Sequence, residues 1–126
     1  MKLRHLFTIN IFFAAFFGVC CSLFPVFVFW LYGLVPDDLA IWATRLVGGS
    51  ILGFATLMWF GRKSGSVESR RAIAFALLVQ DAIGCIGSLE FQLSGKVNAF
   101  GWFSLALYGV LALAYAWFLF IRPADS

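Results

Sequence analysis

Residues 71–93, RAIAFALLVQDAIGCIGSLEFQL, form an apolar segment long enough to cross a bilayer, yet the segment contains two acidic residues, Asp81 and Glu90. An ionisable group in hydrocarbon costs at least about 2.5–3.5 kcal/mol on insertion scales, so it usually faces a partner, a cavity or a ligand. Arg45 lies inside a second apolar segment of the same kind. These three side chains are therefore the first candidates for a functional site.

The composition of the chain is typical of an integral membrane protein. Of its 126 residues, 63% are hydrophobic and 12% are charged, against about 25% charged residues in an average soluble domain. Four spans of about 20 residues and their short connections take up the whole length, so we predict a single integral membrane domain over residues 1–126. The net charge of +3 is small and indicates no nucleic-acid partner. Membrane lipids are the partners that this composition implies.

The apolar blocks predict an all-α bundle of four transmembrane helices. Each block can cross about 30 Å of hydrocarbon at a rise of about 1.5 Å per residue. The predicted spans are residues 6–24, 39–60, 71–93 and 98–121.

The first apolar block, residues 6–35, is too long for one straight span, and Pro25 stands two-thirds of the way along it. Proline is favoured in the first turn of a helix, so we predict a break before Pro25 and a short interfacial helix over residues 25–32, closed by Gly33 and Pro36. The alternative is a single tilted helix that is kinked at Pro25.

The basic residues near the ends of the spans predict the orientation of the chain. In a four-span arrangement most of the nine Lys and Arg residues fall on one side, and the positive-inside rule assigns that side to the cytoplasm. Both termini and the loop between spans two and three would then be cytoplasmic. The basic residues on this side are Lys2, Arg4, Arg62, Lys63, Arg70, Arg71 and Arg122.

No catalytic, metal or cofactor motif is present in the sequence. His5 is the only histidine, and Cys20, Cys21 and Cys85 do not form a C-x-x-C pair. Nucleophile-elbow, P-loop and zinc-protease signatures are missing as well. The sequence therefore favours a non-enzymatic protein, and we assign no catalytic residue, metal ligand or cofactor.

Helical spacing places a stripe of polar and small residues on one face of span three. Asp81, Gly84 and Ser88 are three or four residues apart, and Gln80 widens the stripe. Glu90 is rotated by about 180° from Asp81, so the two acids are not expected to meet in one site.

Depth separates the charged residues further. Counted along the helices, Arg45 and Glu90 are level with each other near the outer face, where they could form a structural pair. Asp81 lies near the midplane and is the costliest of the three.

Span two carries a G-x-x-x-G motif, Gly49 and Gly53, with Arg45 four residues earlier. This pattern predicts close packing of spans two and three, small face against small face. Under that hypothesis Arg45, Gln80 and Asp81 form hydrogen bonds across the contact, and the packing residues are Gly49, Gly53, Gly84 and Ser88.

The competing hypothesis is a ligand pocket that opens toward the outer leaflet. Tyr108 of span four reaches the depth of Asp81 and could donate a hydrogen bond to it. The candidate ligand-binding residues are Arg45, Gln80, Asp81, Glu90 and Tyr108.

Three stretches of the chain, residues 25–33, 43–53 and 92–102, resemble small four-helix bacterial and archaeal membrane proteins of a family of unknown function, which is loosely similar to the DoxX-like group. The resemblance covers nearly the whole chain and implies a four-helix bundle with an arginine at Arg45. It also implies a prokaryotic inner membrane as the location. It transfers no catalytic residue.

Three classes of function fit these features. The first is an accessory or structural subunit of a larger membrane complex, which would bind other integral membrane subunits or further copies of itself. The second is a binder or carrier of a lipid, a quinone or another apolar ligand in a pocket near Asp81. The third is a dimeric small transporter.

Overall fold

The structure, a computed structural model, describes residues 2–121, and this part of the chain is helical without any strand. Its elements are α1 (Leu3–Leu23), α2 (Pro25–Leu31), α3 (Asp38–Lys63), α4 (Val67–Leu93) and α5 (Gly101–Ala116), the last continued by a π-helical turn, Trp117–Ile121.

Four of the described helices, α1, α3, α4 and α5 with its π-helical turn, are long and apolar enough to cross a membrane. The fold is thus that of a multi-pass membrane protein, and the predicted all-α bundle of four spans is confirmed. Arg122, which the orientation argument includes, lies outside the described residues.

The predicted break at Pro25 is confirmed. Helix α1 ends at Leu23, Phe24 leaves the helical conformation, and Pro25 is the first residue of α2. Proline suits this position because its missing N–H would have no partner in the first turn anyway. Gly33 then turns the chain out of α2 with a φ of +73°, a left-handed conformation that glycine adopts without strain. A single kinked helix is therefore excluded.

The four long helices associate as two pairs, with α1 along α3 and α4 along α5. The side chains that are buried completely lie in one half of the bundle, which contains the start of α1, the α3–α4 loop and the end of α5. We call this half the closed end, and the opposite half, with α2 and the α4–α5 loop, the lid end. The largest fully buried side chains at the closed end are Leu3, Phe7, Met58, Leu77, Tyr115 and Leu119.

The predicted packing role of Gly49 and Gly53 is wrong. A Cβ atom added at either glycine would meet nothing within 4 Å, whereas one added at Gly48 would overlap Ser22 Oγ and lie 2.8 Å from the carbonyl oxygen of Gly18. One residue corresponds to a rotation of about 100° around a helix, so Gly48 faces α1 while its neighbour faces outward. The close approach is thus between α3 and α1.

The expected contact of α3 and α4 along their small faces is also wrong. Gly84 packs on α5 instead, where an added Cβ would lie 2.7 Å from the ring of Tyr108. Near the loop that joins them, α3 and α4 do touch, with Gly61 against Ile73. Farther from this loop a cavity separates the two helices, and Ser88 lines that cavity.

The asymmetry between Gly48 and Gly49 gives a matched pair of substitutions. Gly48→Ala should lower the free energy of unfolding by about 1–3 kcal/mol, because the new methyl group would overlap backbone atoms of α1. Gly49→Ala should leave it unchanged or raise it by up to about 1 kcal/mol, since alanine favours helix and the space is open. Thermal unfolding in detergent micelles measures both. A larger loss for Gly49→Ala than for Gly48→Ala would contradict this packing.

Candidate functional site

A cavity of about 340 Å³ lies between the two helix pairs. It begins next to the closed end and extends toward the lid end. All five helices contribute to its walls, which are mostly apolar. Met58 and Leu77 form its floor toward the closed end, and Phe29 of α2 lies at its opposite limit. Representative wall residues are Phe13, Phe17, Ile51, Phe54, Leu107 and Leu111.

Asp81 is the buried acidic residue of this cavity. It is 4% exposed, and its Oδ2 atom has no hydrogen-bond partner among the described residues. It lies about 21 Å from the start and about 18 Å from the end of α4, as the rise per residue gives. Asp81 therefore lies near the middle of α4. A carboxyl group with no partner at this depth is costly unless something else supplies the interaction.

Other polar side chains face the same cavity without a protein partner. Gln80 and Ser88 of α4, Thr44 of α3 and Tyr108 of α5 line it, and none of these four forms a hydrogen bond with another described residue. The ring of Tyr108 lies against Gly84, one helical turn from Asp81. The expected hydrogen bond from Tyr108 to Asp81 is not formed. The cavity thus combines apolar walls with several polar groups that remain available.

Near the floor of the cavity, a buried polar chain links three helices. Asn10 Nδ2 donates to the hydroxyl oxygen of Tyr115 at 2.8 Å, and this hydroxyl donates to Met58 Sδ at 3.6 Å. Asn10 belongs to α1, Tyr115 to α5 and Met58 to α3, so these hydrogen bonds join the two helix pairs. Nothing in the sequence pattern pairs Asn10 with Tyr115, although an asparagine inside an apolar span is itself a signal that a polar partner exists.

Helix α2 covers the lid end of the cavity and is fastened to the α4–α5 loop. Asn98 Nδ2 donates to the carbonyl oxygen of Leu31 at 2.9 Å, and the Asn98 backbone N–H donates to the carbonyl oxygen of Tyr32 at 3.2 Å. The Tyr32 hydroxyl is hydrogen bonded to Ser104 Oγ, and its ring packs edge-on against Phe100 with centroids 5.1 Å apart. Nothing in the sequence identified Asn98 as the fastening residue.

The cavity also reaches the side of the bundle. Val47 of α3 and Phe91 of α4 both line it, and they are 51% and 45% exposed. Val47 and Phe91 belong to different helix pairs, and we call the cavity wall between α3 and α4 the seam.

Two of the candidate binding residues lie outside the cavity. Arg45 is exposed, and its Nη1 donates to the carbonyl oxygen of Ser22 at 3.1 Å, at the end of α1. Glu90 is exposed on α4, and no ion pair joins it to Arg45 in the described part of the chain. The rotation that turns Gly48 toward α1 brings Arg45 there too. Of the predicted set, only Gln80, Asp81 and Tyr108 share the cavity.

Comparison with protein-family models, with curated proteins and with solved structures finds no match to this chain. The resemblance to the DoxX-like group therefore stays a prediction, and the site has to be interpreted from its own geometry.

The fastening of the lid can be tested at Asn98. Asn98→Ala removes the hydrogen bond to Leu31, so we expect local opening to become easier by about 1 kcal/mol and amide hydrogen exchange in α2 and at Leu34 to become about five- to tenfold faster. Hydrogen exchange followed by mass spectrometry measures this. Ser94→Ala is the control, because the Ser94 hydroxyl bonds only within its own loop region. Equal exchange of α2 in the two variants would show that Asn98 does not hold the lid.

The polar chain at the floor can be tested by a double-mutant cycle. Tyr115→Phe leaves the Asn10 amide without its acceptor and should lower the free energy of unfolding by about 1–2 kcal/mol. Adding Asn10→Leu removes the stranded amide, so the double variant should lose less than the sum of the two single losses. Unfolding curves in detergent give all the values that the cycle needs. Strictly additive losses would mean that the two side chains do not interact.

Proposed function

We propose that the protein binds a small lipophilic molecule inside its helical bundle, with the polar group of that molecule at Asp81. The observation that carries the proposal is an apolar cavity of about 340 Å³ that contains a buried carboxyl group without a protein partner. Ligand pockets usually have volumes of about 300–1,000 Å³, mostly apolar walls and a few polar groups that orient the ligand. This cavity is at the small end of that range, so it suits one compact or single-chain molecule rather than a two-chain lipid.

The distribution of polar partners favours a binding role over a purely structural one. Where this protein uses a polar group to hold helices together, as at Asn10 and Tyr115, the partners are present within the bundle. Asp81 has the same degree of burial but no such partner. A ligand would supply the missing interaction, and Gln80, Ser88 and Tyr108 could complete its coordination.

The surroundings of the cavity support entry from the membrane. The closed end is filled by packed side chains, and α2 covers the lid end, so the sides of the bundle between the two helix pairs remain, and on the α3–α4 side the cavity residues Val47 and Phe91 are exposed. We place the closed end at the cytoplasmic face of a prokaryotic inner membrane. The positive-inside rule supports this orientation, because these basic residues all belong to that end: Lys2, Arg4, Arg62, Lys63, Arg70 and Arg71.

The accessory-subunit and transporter hypotheses stay predictions. The exposed apolar side chains that a partner subunit would cover are equally suited to lipid, and no feature of the cavity favours a path through the closed end. Purification in mild detergent followed by mass spectrometry tests the first of these, since it would find other membrane proteins in stoichiometric amounts.

Filling the cavity from α4 tests the proposed function. Ser88→Phe directs a large side chain into the cavity, so we expect at least a tenfold loss of the small molecule that co-purifies with the wild-type protein, with thermal stability unchanged or higher. Ile86→Phe is the control, because Ile86 is 66% exposed on the outer face of the same helix. Organic extraction and mass spectrometry of both purified variants give the comparison. Equal ligand content in wild type and Ser88→Phe, or none above the detergent background in wild type, would refute the proposal.

A further inference from the structure

We infer that the ligand is a cationic amphiphile, a lipophilic amine whose ammonium group binds Asp81 and whose hydrocarbon part extends toward the lid. This inference rests on the proposed function and adds the chemical class of the ligand. It follows from the charges around the cavity, from the hydrogen-bond acceptors near Asp81 and from the shape of the space beyond it.

The described residues that line the cavity include one carboxyl group, that of Asp81, and no Lys, Arg or His. Three basic side chains of α3 and α4 are engaged elsewhere. Arg45 donates to a carbonyl oxygen of α1, and Arg71 donates to the carbonyl oxygen of Leu119 at 3.2 Å. Lys63 lies 4.3 Å from the ring centre of Trp59. No described side chain of the protein therefore provides Asp81 with a positive charge.

A buried carboxylate is stabilised chiefly by an opposite charge in good hydrogen-bonding geometry, and it repels a second anion. An anionic head group, such as a fatty acid carboxylate or a phosphate, would add a like charge in a place that has no cation to balance it. A neutral hydroxyl can exchange hydrogen bonds with the protonated acid, but it leaves the charge of the ionised form uncompensated. An ammonium group satisfies both requirements.

The atoms around Asp81 suit a group with several N–H donors. An ammonium has three donors and no acceptor, and the side-chain oxygens of Gln80 and Ser88 lie in the cavity wall without partners of their own. The ring of Tyr108, packed against Gly84, adds an aromatic face of the kind that attracts cations. The carboxyl group would accept the first hydrogen bond and these neighbours would accept the others.

The space beyond Asp81 suits a hydrocarbon chain. From Asp81 to Gln92, both of which line the cavity, the distance along α4 is about 16 Å. The walls over this length are mainly aromatic and aliphatic, with Phe17 of α1 and Leu107 of α5 among them. A single extended chain fits such a space with its charged end at the middle of the bundle.

The test compares three ligands that share one chain and differ in the head group: decylamine, decanol and decanoate. Their binding to wild-type protein in detergent micelles is measured by displacement of tritiated decylamine from immobilised protein, and independently by the thermal shift that each ligand causes. At neutral pH we expect decylamine to bind about tenfold or more tightly than decanol, since hydrogen bonds to a charged partner are the stronger kind. Decanoate should bind the weakest of the three.

Two variants assign the preference to Asp81. Asp81→Asn should reduce the preference for decylamine over decanol to less than about threefold, and Asp81→Glu should retain most of it. Glu90→Gln is the matched control, because it makes the same acid-to-amide change on the exposed face of α4 and should leave all three affinities unchanged. The wild-type comparison of head groups needs no variant, so it decides the question even where Asp81→Asn does not fold.

The outcomes separate this inference from the proposed function. Equal binding of decylamine and decanol, or preferred binding of decanoate, would overturn the cationic class and leave an intrabundle binding site in place. A preference for the amine that persists in Asp81→Asn, or disappears in Glu90→Gln, would also overturn it. Absence of saturable binding by all three ligands, together with an unchanged ligand content in Ser88→Phe, would refute the site itself.

Discussion

The hydrogen bond between Asn10 and Tyr115 joins the two helix pairs at the level where close packing ends, and the rest of the architecture is organised around this level. On one side of it, apolar side chains from all four long helices fill the closed end. On the other side the pairs separate and leave the cavity. In a membrane, helices associate through van der Waals packing and polar contacts rather than through the hydrophobic effect, so a packed half and an unpacked half differ greatly in how strongly they hold the helices together.

In this arrangement two sets of contacts hold the helix pairs together, one on each side of Asp81. The first is the packed closed end with its polar chain, and the second is the attachment of α2 to the α4–α5 loop through Asn98 and Tyr32. Between them, α3 and α4 are held mainly through their respective partners, α1 and α5. Helices α3 and α4 thus make far less contact with each other than each makes with its own partner. The proposed entry of a ligand from the membrane would use this less closely packed side of the bundle.

The features that the sequence predicted correctly depend on one helix at a time. Span number follows from apolar length, the break at Pro25 from the chemistry of proline, and the shared face of Gln80, Asp81 and Ser88 from the period of an α-helix. Each of these properties is local, so no knowledge of neighbouring helices is needed. The structure agrees with all three.

The incorrect expectations concern which neighbour a helix face meets. Helical periodicity defines the faces of α3, but a rotation of about 100° decides whether Gly48 or Gly49 makes the close contact. Both glycines fit a small-residue motif, and only the packing of Ser22 and Gly18 distinguishes them. The same rotation moves Arg45 away from the cavity.

The pairing of Asn10 with Tyr115 cannot be predicted from the sequence, for a related reason. The two residues are 105 positions apart. A polar residue inside a span indicates that a polar partner exists, but the sequence does not identify that partner. A polar partner is expected for Asp81 for the same reason, yet the described structure contains no partner for it. Asn10 and Asp81 are both buried in the described part of the chain, and the bundle satisfies Asn10 internally but leaves the carboxyl group of Asp81 facing a cavity. That contrast, rather than the mere presence of an acid in a membrane span, is the reason to expect the partner of Asp81 to come from outside the chain.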